Sequence, residues 1–356
     1  MPPRVSIITV NYNGTADTLA CLASLQKCSY PDFEVWVVDN GSHPDQVAKL
    51  QEGMIGLPSS FFLLPSSTNT GFGGGNNLAI ERVLEENRSQ YIYLLNNDTE
   101  VEPDFLEKAV ERAESDPRIG MVNSLCLQFD DRTKVENAGH ELLDCGDSIY
   151  RGRGDPVSAH SPQPTAFPIE LLGASGAAVL YRVQTLRECG LFDASFFLNY
   201  EDADLSLRCI LMGWKAVLEP RSIVYHKVNA SIKKVKDYGF YVRSQLNQFK
   251  SYYHNVPTAV LIANFPFVLM RDLGVIILNL LFMRWGILRV FLHARLRMLR
   301  QLGSIRKTRR ANMRRQKASV WYFLRLQRNF LAVYIRYFYE IIVTQRRSVF
   351  ETKAEN

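Results

Sequence analysis

The stretch that decides the fold of this 356-residue chain lies near its start and reads Val5-Ser6-Ile7-Ile8-Thr9-Val10-Asn11-Tyr12-Asn13-Gly14. Its first six residues form an apolar run of strand length, and its last four are typical of a turn. Residues 15–26 then show helical spacing, with leucines at 19, 22 and 25. A buried strand, a polar turn and a helix in this order predict a mostly parallel α/β sheet with helices on both faces.

The same alternation continues along the chain. We predict further strands at 33–38, 61–64, 91–95, 176–181 and 215–218. We predict further helices at 45–51, 76–86, 104–115 and 203–213. Residues 137–168 are rich in Gly, Pro, Ser and Asp and indicate loops or a small hairpin. Polar clusters at 11–14, 39–42 and 96–98 follow three strands, and ligands of such sheets bind beyond the carboxyl ends of the strands.

Composition and charge indicate two unlike parts. The chain is 47% hydrophobic and 22% charged, which excludes disordered and collagen-like proteins. Its six cysteines are scattered without a C-x-x-C pair, which disfavours a zinc ribbon and favours a reducing cytoplasm. Residues 271–347 hold 18 Lys and Arg against two acids, so they carry +16 and the rest carries −10. The two parts therefore meet different partners.

Two polar clusters are candidates for catalytic chemistry. Asp98 follows an apolar strand, where a carboxylate can bind Mg²⁺ or Mn²⁺, although it could equally cap a nearby turn. The run Glu201-Asp202-Ala203-Asp204 precedes a helix, so one acid could be a general base whose pKa is raised by burial and by its neighbours. The alternative is a set of helix-start acids that complement the helix dipole.

Two further features are weaker. Residues 70–77 hold a glycine cluster that leads into a helix, where backbone can approach a phosphate. The alternative is a flexible loop, since neither a Walker loop nor a dinucleotide fingerprint is present. His226 follows a strand-like segment and could complete a metal site if the fold brings it near Asp98.

Taken in order, these segments resemble the family 2 glycosyltransferases of the GT-A fold, close to the rhamnosyltransferase-like branch that builds bacterial surface polysaccharides. The resemblance covers roughly residues 5–230. The matching segments are 5–13, 37–42, 69–77, 94–99, 175–177, 192–193, 201–205, 213–214 and His226. The family's D-x-D motif here begins with Asn96, so it supplies one carboxylate, Asp98.

The resemblance implies a role for each matching residue. Asp98 and His226 would hold the metal. Asp202 would be the catalytic base of an inverting displacement, with Glu201 as the second choice. The nucleotide-sugar, dTDP- or UDP-linked, would meet a larger group of residues. That group is Tyr12, Asn13, Asp39, Asn40, Gly73, Asn76, Asn77 and Asn97.

The last hundred residues differ in character. The pair Arg271-Asp272 separates an uncharged stretch at 256–270 from an apolar stretch at 273–283. A membrane span needs about 20 residues, and neither stretch is that long. Seven basic residues lie between Arg306 and Lys317. This composition favours amphipathic helices on an anionic membrane surface over a true span or a solvated hairpin. No nucleic acid is expected, because no binding motif accompanies the basic run.

We therefore expect a GT-A domain at 1–250, with a nucleotide-sugar half at about 1–120 and an acceptor half at about 121–250. A basic, amphipathic helical region follows at 251–356. The expected function is the transfer of a sugar, rhamnose favoured, to a lipid-linked or polysaccharide acceptor in bacterial cell-envelope glycan synthesis. The expected location is the cytoplasmic face of the membrane. The alternative is a non-catalytic nucleotide-sugar-binding scaffold.

Overall fold

The structure, a computed structural model, describes residues 2–160, 169–227 and 237–342, with side chains to Arg336. The end of the expected loop, 161–168, lies outside the described residues. So do the last basic residues of the tail, Arg346, Arg347 and Lys353.

The N-terminal part forms the parallel half of one ten-stranded sheet. Its strands are β1 (Val5–Asn11), β2 (Phe33–Asn40), β3 (Phe61–Ser66) and β4 (Tyr91–Leu95), which pair in parallel in the order β4-β1-β2-β3. Helices α1 (Thr15–Leu25), α2 (Pro44–Gly53) and α3 (Gly71–Glu86) connect them. Successive residues of β1 contribute to two hydrophobic cores. Ile8 packs in the core that includes α3, while Ile7 packs in the core that includes α1.

The helix α3 begins five residues before the expected start, so the glycine cluster is helical rather than a flexible loop. Gly71 has a φ of 77°, which a side chain would rarely adopt. A Cβ at this position would also lie 2.1 Å from the carbonyl oxygen of Phe197. The backbone N–H of Phe72 donates to that same carbonyl at 2.8 Å. The glycines thus allow the start of α3 to pack tightly against the second half of the domain.

The second half makes the sheet mixed. Its strands are β5 (Thr99–Val101), β6 (Ile119–Gln128), β7 (Val135–Asn137), β8 (His140–Leu142), β9 (Ser148–Tyr150), β10 (Ile169–Leu171), β11 (Ala178–Arg182) and β12 (Lys215–His226). Strand β11 runs antiparallel to both β4 and β6, while β12 is parallel to β6. Strands β8 and β9 form the small hairpin expected from the loop composition. The helices are α4 (Phe105–Glu114), α5 (Val183–Cys189) and α6 (Glu201–Leu211).

The sequence did not predict strand β6, because polar residues in its centre interrupt the apolar run that is typical of a buried strand. Asn123 and Ser124 are fully buried in its centre. Their side chains are nevertheless satisfied, since Asn123 Oδ1 accepts from the backbone of Ser175 at 2.7 Å and Ser124 Oγ lies 2.6 Å from Ser222 Oγ. Buried polar groups with partners cost little.

The C-terminal helices pack onto this domain. They are α7 (Tyr238–Asn255), α8 (Thr258–Leu281), α9 (Trp285–Arg300), α10 (Leu302–Met313), α11 (Val320–Leu326) and α12 (Phe330–Ile342). The expected boundary at residue 250 falls inside α7. Val256, Val260 and Phe323 belong to the main core, so part of this region is continuous with the domain.

Candidate active site

The metal-binding candidates meet where β4 and β12 end. Asp98 lies three residues beyond β4, and His226 is the last residue of β12, which pairs with β5. His226 Nε2 lies 3.1 Å from Asp98 Oδ1 and 3.2 Å from the side-chain amide of Asn96. The opposite ring nitrogen lies 3.5 Å from Glu136 Oε2. Burial lowers the pKa of His226, but Asp98 and Glu136 outweigh burial and raise that pKa to about 10.

These residues fit a divalent cation in part. Two ligands at right angles around an octahedral ion, with bonds of about 2.1 Å, lie about 3 Å apart. Asp98 and His226 have this spacing. Among the described residues, however, no three His, Cys, Asp or Glu side chains form a metal cluster. Glu136 lies against the far side of the imidazole and would orient His226, and the remaining ligands of a bound ion would come from water and substrate.

The base candidate Asp202 is held in place at the start of α6. Its Oδ2 accepts from the backbone N–H of Gly176 at 2.9 Å and lies 3.1 Å from Nε2 of His140. Its Oδ1 accepts from the N–H of Ala203 at 2.8 Å. Burial raises the pKa of Asp202, but His140 and the backbone donors outweigh burial and hold that pKa below its usual value. Asp202 is therefore ionised at neutral pH.

Its neighbour Glu201 is in the opposite situation. It is buried, and its Oε2 has no hydrogen-bond partner. Burial, with the nearby charge of Asp202, raises the pKa of Glu201 well above its usual range. Of the two adjacent acids, only Asp202 is thus ready to accept a proton at neutral pH.

One cavity of about 420 Å³ is lined by the metal candidate His226 and by both base candidates, Glu201 and Asp202, together with Asn96. Asp98 is not part of its wall and contacts His226 at 3.1 Å. Helix α7 contributes Tyr241 among others. Residues more than a hundred positions apart in the sequence therefore converge on a single space.

The residues expected to bind nucleotide at β1 and β2 lie together. Tyr12 is 45% exposed beside Asn13, which adopts a φ of 53°. Asp39 is 1% exposed, and its carboxylate accepts from Asn11 Nδ2 at 2.9 Å and from the N–H of Ser42 at 3.2 Å. Asp39 thus fixes the turns around Tyr12, and Tyr12 is the most exposed residue of this group.

The remaining nucleotide candidates are engaged inside the protein. Asn40 accepts from the N–H of Thr70 at 3.0 Å, which ties the end of β2 to the start of α3. The side-chain amide of Asn97 donates to Thr18 Oγ1. Those of Asn76 and Asn77 donate to the backbone carbonyls of Phe72 and Phe192, respectively. A Cβ at Gly73 would lie 2.9 Å from Phe192 Cβ. None of the residues proposed for the nucleotide-sugar lines the 420 Å³ cavity.

Several residues of the cavity carried no sequence signal. Glu136 lies on β7, His140 and Tyr150 lie on the β8–β9 hairpin, and Arg153 follows the hairpin, with no periodic pattern or motif to mark them. The imidazole of His140 stacks near the Tyr150 ring, with centroids 5.0 Å apart, and its Nδ1 lies 3.3 Å from Ser148 Oγ. Only the fold shows that His140 contacts Asp202 and that Glu136 contacts His226.

Comparison with known proteins places the chain in a family. The family model "Glycosyl transferase family 2" matches residues 6–188, which is half of the chain. The chain belongs to glycosyl transferase family 2. The family 2 membership expected from the motifs is thereby confirmed, and the names of the relatives below agree with the rhamnosyltransferase-like branch.

Two relatives of this family 2 protein share similar stretches. One is "O-antigen biosynthesis protein RfbC" of Myxococcus xanthus, 28% identical over 236 residues that cover 64% of this chain and 18% of that protein. Another is "N-acetylglucosaminyl-diphospho-decaprenol L-rhamnosyltransferase" of Mycobacterium tuberculosis, 24% identical over 65% of this chain and 78% of that protein. The match therefore spans less than a fifth of the first relative's length.

Solved structures confirm the GT-A fold. A mannosyltransferase from Pyrobaculum calidifontis, in complex with GDP-Man and Mn²⁺, superposes with a TM-score of 0.51 at 15% identity, covering 85% of this chain and 76% of that chain. GalNAc-T7 with UDP, GalNAc and Mn²⁺ gives a TM-score of 0.56 at 14% identity, covering 70% of this chain and 47% of that chain. At these identities the likeness concerns the fold alone.

Proposed function

We propose that this family 2 protein is a metal-dependent, inverting glycosyltransferase. It moves a sugar, rhamnose favoured, from a dTDP- or UDP-linked donor to a lipid-linked acceptor in bacterial cell-envelope glycan synthesis. One observation carries the proposal. A single cavity is lined by His226, which pairs with Asp98 as the candidate ion-binding pair, and by Asp202, the ionised base candidate.

The proton of the acceptor hydroxyl passes to Asp202. As that oxygen forms its bond to the anomeric carbon, the bond from that carbon to the donor diphosphate breaks, and the nucleoside diphosphate leaves with the electron pair. A single displacement inverts the anomeric configuration. His140 and the N–H of Gly176 keep the carboxylate oriented, because both contact the same oxygen, Oδ2. No nucleophilic side chain is required.

Asp98 and His226 would hold Mg²⁺ or Mn²⁺, which when bound supplies positive charge next to the leaving diphosphate. Asn96 and Glu136 would help to position this pair, because both contact the His226 imidazole. The structures of similar fold that were determined with Mn²⁺ support this assignment.

The acceptor and the location are inferred from two further observations. The mycobacterial relative is named for a diphospho-decaprenol substrate, which supports a lipid-linked acceptor. Helix α8 is, among the described helices, the one long and apolar enough to cross a membrane, and only 11% of its apolar window is buried. We propose that the C-terminal helices lie on the cytoplasmic face of the membrane, where a soluble donor and a lipid acceptor can meet.

A thermal-shift screen of nucleotide-sugars, with Mn²⁺ or with EDTA, tests the function. We expect dTDP-rhamnose with Mn²⁺ to raise the melting temperature, because a ligand that binds only the folded state stabilises it. The Asp98→Ala variant should lose most of this rise in Mn²⁺ and match the wild type in EDTA. Radiolabelled transfer to membrane lipid then separates enzyme from scaffold. Donor binding without transfer or hydrolysis would favour the scaffold.

A further inference from the structure

A second cleft lies between α7, α8 and α9, away from the catalytic groups. Its volume is about 240 Å³. Carbon-rich side chains form most of its wall, from Phe249 and Tyr252 on α7 and from Leu261, Phe265 and Val268 on α8. Such a volume holds about eight water-sized groups. The cleft therefore has room for the start of a hydrocarbon chain but not for a whole long-chain lipid.

This cleft opens onto an exposed apolar helix face. Phe265 lines the cleft and is 63% exposed. Beyond it on α8, the apolar side chains of Leu269, Leu273 and Ile277 are all exposed. A contiguous apolar surface of this kind marks a site for an apolar partner. A chain that leaves the cleft would therefore continue along apolar carbon.

Helix α7 links the cleft to the catalytic cavity. Tyr241 and Ser244 line the catalytic cavity, while Phe249 and Tyr252 line the cleft. At 1.5 Å of rise per residue, these two groups are separated by about 8 to 16 Å along the helix. One molecule with a polar head of a few linked groups and an apolar chain can therefore occupy both sites.

Two arginines line the cleft, Arg271 and Arg295. Arg295 makes two bonds to Asp272, at 2.9 and 3.1 Å, and Arg271 pairs with Asp147 and, through its Nε at 2.7 Å, with Asp272. A guanidinium has five N–H donors, so each arginine retains donors for an anion. Arginine is well suited to phosphate, which it binds in a forked geometry.

We propose that this cleft binds the first segment of the acceptor's isoprenoid chain, with the chain's phosphate at Arg271 and Arg295 and the acceptor sugar in the catalytic cavity. The proposal rests on the proposed function, since it supposes that the acceptor is a lipid-linked sugar. It adds the place where this chain recognises the lipid. The enzyme would then select its acceptor by chain and phosphate together, in addition to the sugar.

The test measures binding of geranylgeranyl diphosphate and of inorganic diphosphate to the full chain by calorimetry, below the micellar concentration. We expect the isoprenoid compound to bind at least tenfold more tightly. Val268→Trp fills the cleft and should abolish that difference. The matched control is Ile277→Trp, which lies on the exposed part of the same helix and should keep it. Retention of the tenfold difference in Val268→Trp, or an equal loss of that difference in both variants, would overturn the proposal.

A measurement on the wild type covers the case in which Val268→Trp does not fold. A benzophenone-bearing isoprenoid diphosphate is cross-linked and the labelled peptides are mapped. Labels within 249–252 and 261–268 are expected, whereas labels confined to 269–283 would indicate adsorption to the outer face and contradict the cleft. Failure of the proposed function is recognised separately. A chain that binds the isoprenoid but no nucleotide-sugar would refute the transferase and leave the cleft standing.

Discussion

At the scale of single residues, two adjacent carboxylates behave differently because of their partners. Asp202 accepts from two backbone N–H groups and contacts His140, whereas Oε2 of Glu201 has no partner. Glu201 is buried and Asp202 is largely so, with 13% of its side chain exposed, so desolvation acts on each, and the hydrogen bonds decide which one is charged. The sequence alone cannot separate neighbours in one motif, because the difference arises from groups on other elements.

We expect Asp202→Asn to lower the transfer rate by about 10² to 10⁴, the usual loss for a general base. Donor binding should stay within a factor of about two, because the carboxylate of Asp202 contacts His140 and two backbone N–H groups and not Asp98 or His226. Steady-state transfer and nucleotide calorimetry measure the two effects. The matched control is Glu201→Gln, which should retain most of its activity. The reverse pattern would move the base by one residue.

A second prediction concerns pH and stability. The folded protein raises the pKa of Glu201 to about 8, above the 4.5 of an exposed glutamate. The folded state therefore holds an extra proton between these values. The stability that this provides is complete below pH 4.5 and is lost as the pH rises towards 8. In Glu201→Gln that loss is absent, so its melting temperature relative to the wild type should rise between pH 5 and pH 8.

The expected gain is at least about 2 °C across this range, followed by calorimetry. A difference between the two proteins that stays constant with pH would show that Glu201 is ionised in the folded state. Asp202→Asn serves as the control of opposite sign. The pKa of Asp202 is depressed, so its stabilisation is present above pH 4 and is lost in acid.

The sequence allowed the prediction of Asp98, His226, Glu201 and Asp202 as a set, because the motifs that contain them occur in a recognisable order. It made the meeting of Asp98 with His226 conditional on the fold, and the structure brings them to 3.1 Å. It could not indicate Glu136 or His140, which lie in a segment without periodicity. The assignment of roles to all these residues remains a prediction.

At the scale of elements, the order of strands and helices was predictable where burial alternates with turns. The first four strands and the intervening helices lie within a few residues of the predicted bounds. The long strand β6 was not predictable, because its buried polar residues break the local apolar pattern. The mixed pairing around β11 was not predictable either, because antiparallel neighbours leave no local pattern in the sequence. In the same way, the sequence of α10 is rich in basic residues without a sign that any of them is buried, yet one of its arginines lies inside the protein.

Arg309 is that internal residue. Its guanidinium donates to the carbonyls of Tyr253 and Val256 and to Thr258 Oγ1, so it joins α10 to the end of α7 and the start of α8. We expect Arg309→Ala to destabilise the protein by about 1–3 kcal/mol, because buried acceptors lose their donors. Denaturant unfolding measures this. Arg310→Ala, at an exposed neighbouring position, should change stability by less than about 0.5 kcal/mol. Equal effects would contradict the internal role.

At the scale of the whole molecule, two kinds of surface lie on the C-terminal helices. Large apolar side chains are exposed along α8 and α9, among them Phe282 and Trp285. Exposed basic residues follow on α10 and just beyond it, among them Arg306, Lys307, Arg310 and Arg314. These helices share core contacts with the catalytic domain, so a membrane surface that binds them would also fix the position of the active site.

We expect the full chain to sediment with vesicles that contain phosphatidylglycerol and to be released as salt rises, since each cation near anionic lipid adds about 1 kcal/mol. Changing Arg306, Lys307, Arg310 and Arg314 to Gln should weaken binding at least tenfold. The matched control neutralises four exposed cations of the domain, Lys49, Arg82, Arg118 and Lys134, and should leave binding unchanged. Equal losses in both variants would show an effect of net charge alone. Substitutions are preferable to a truncation near residue 250, which would cut α7. Binding that survives salt and alkaline carbonate would instead indicate that α8 crosses the bilayer.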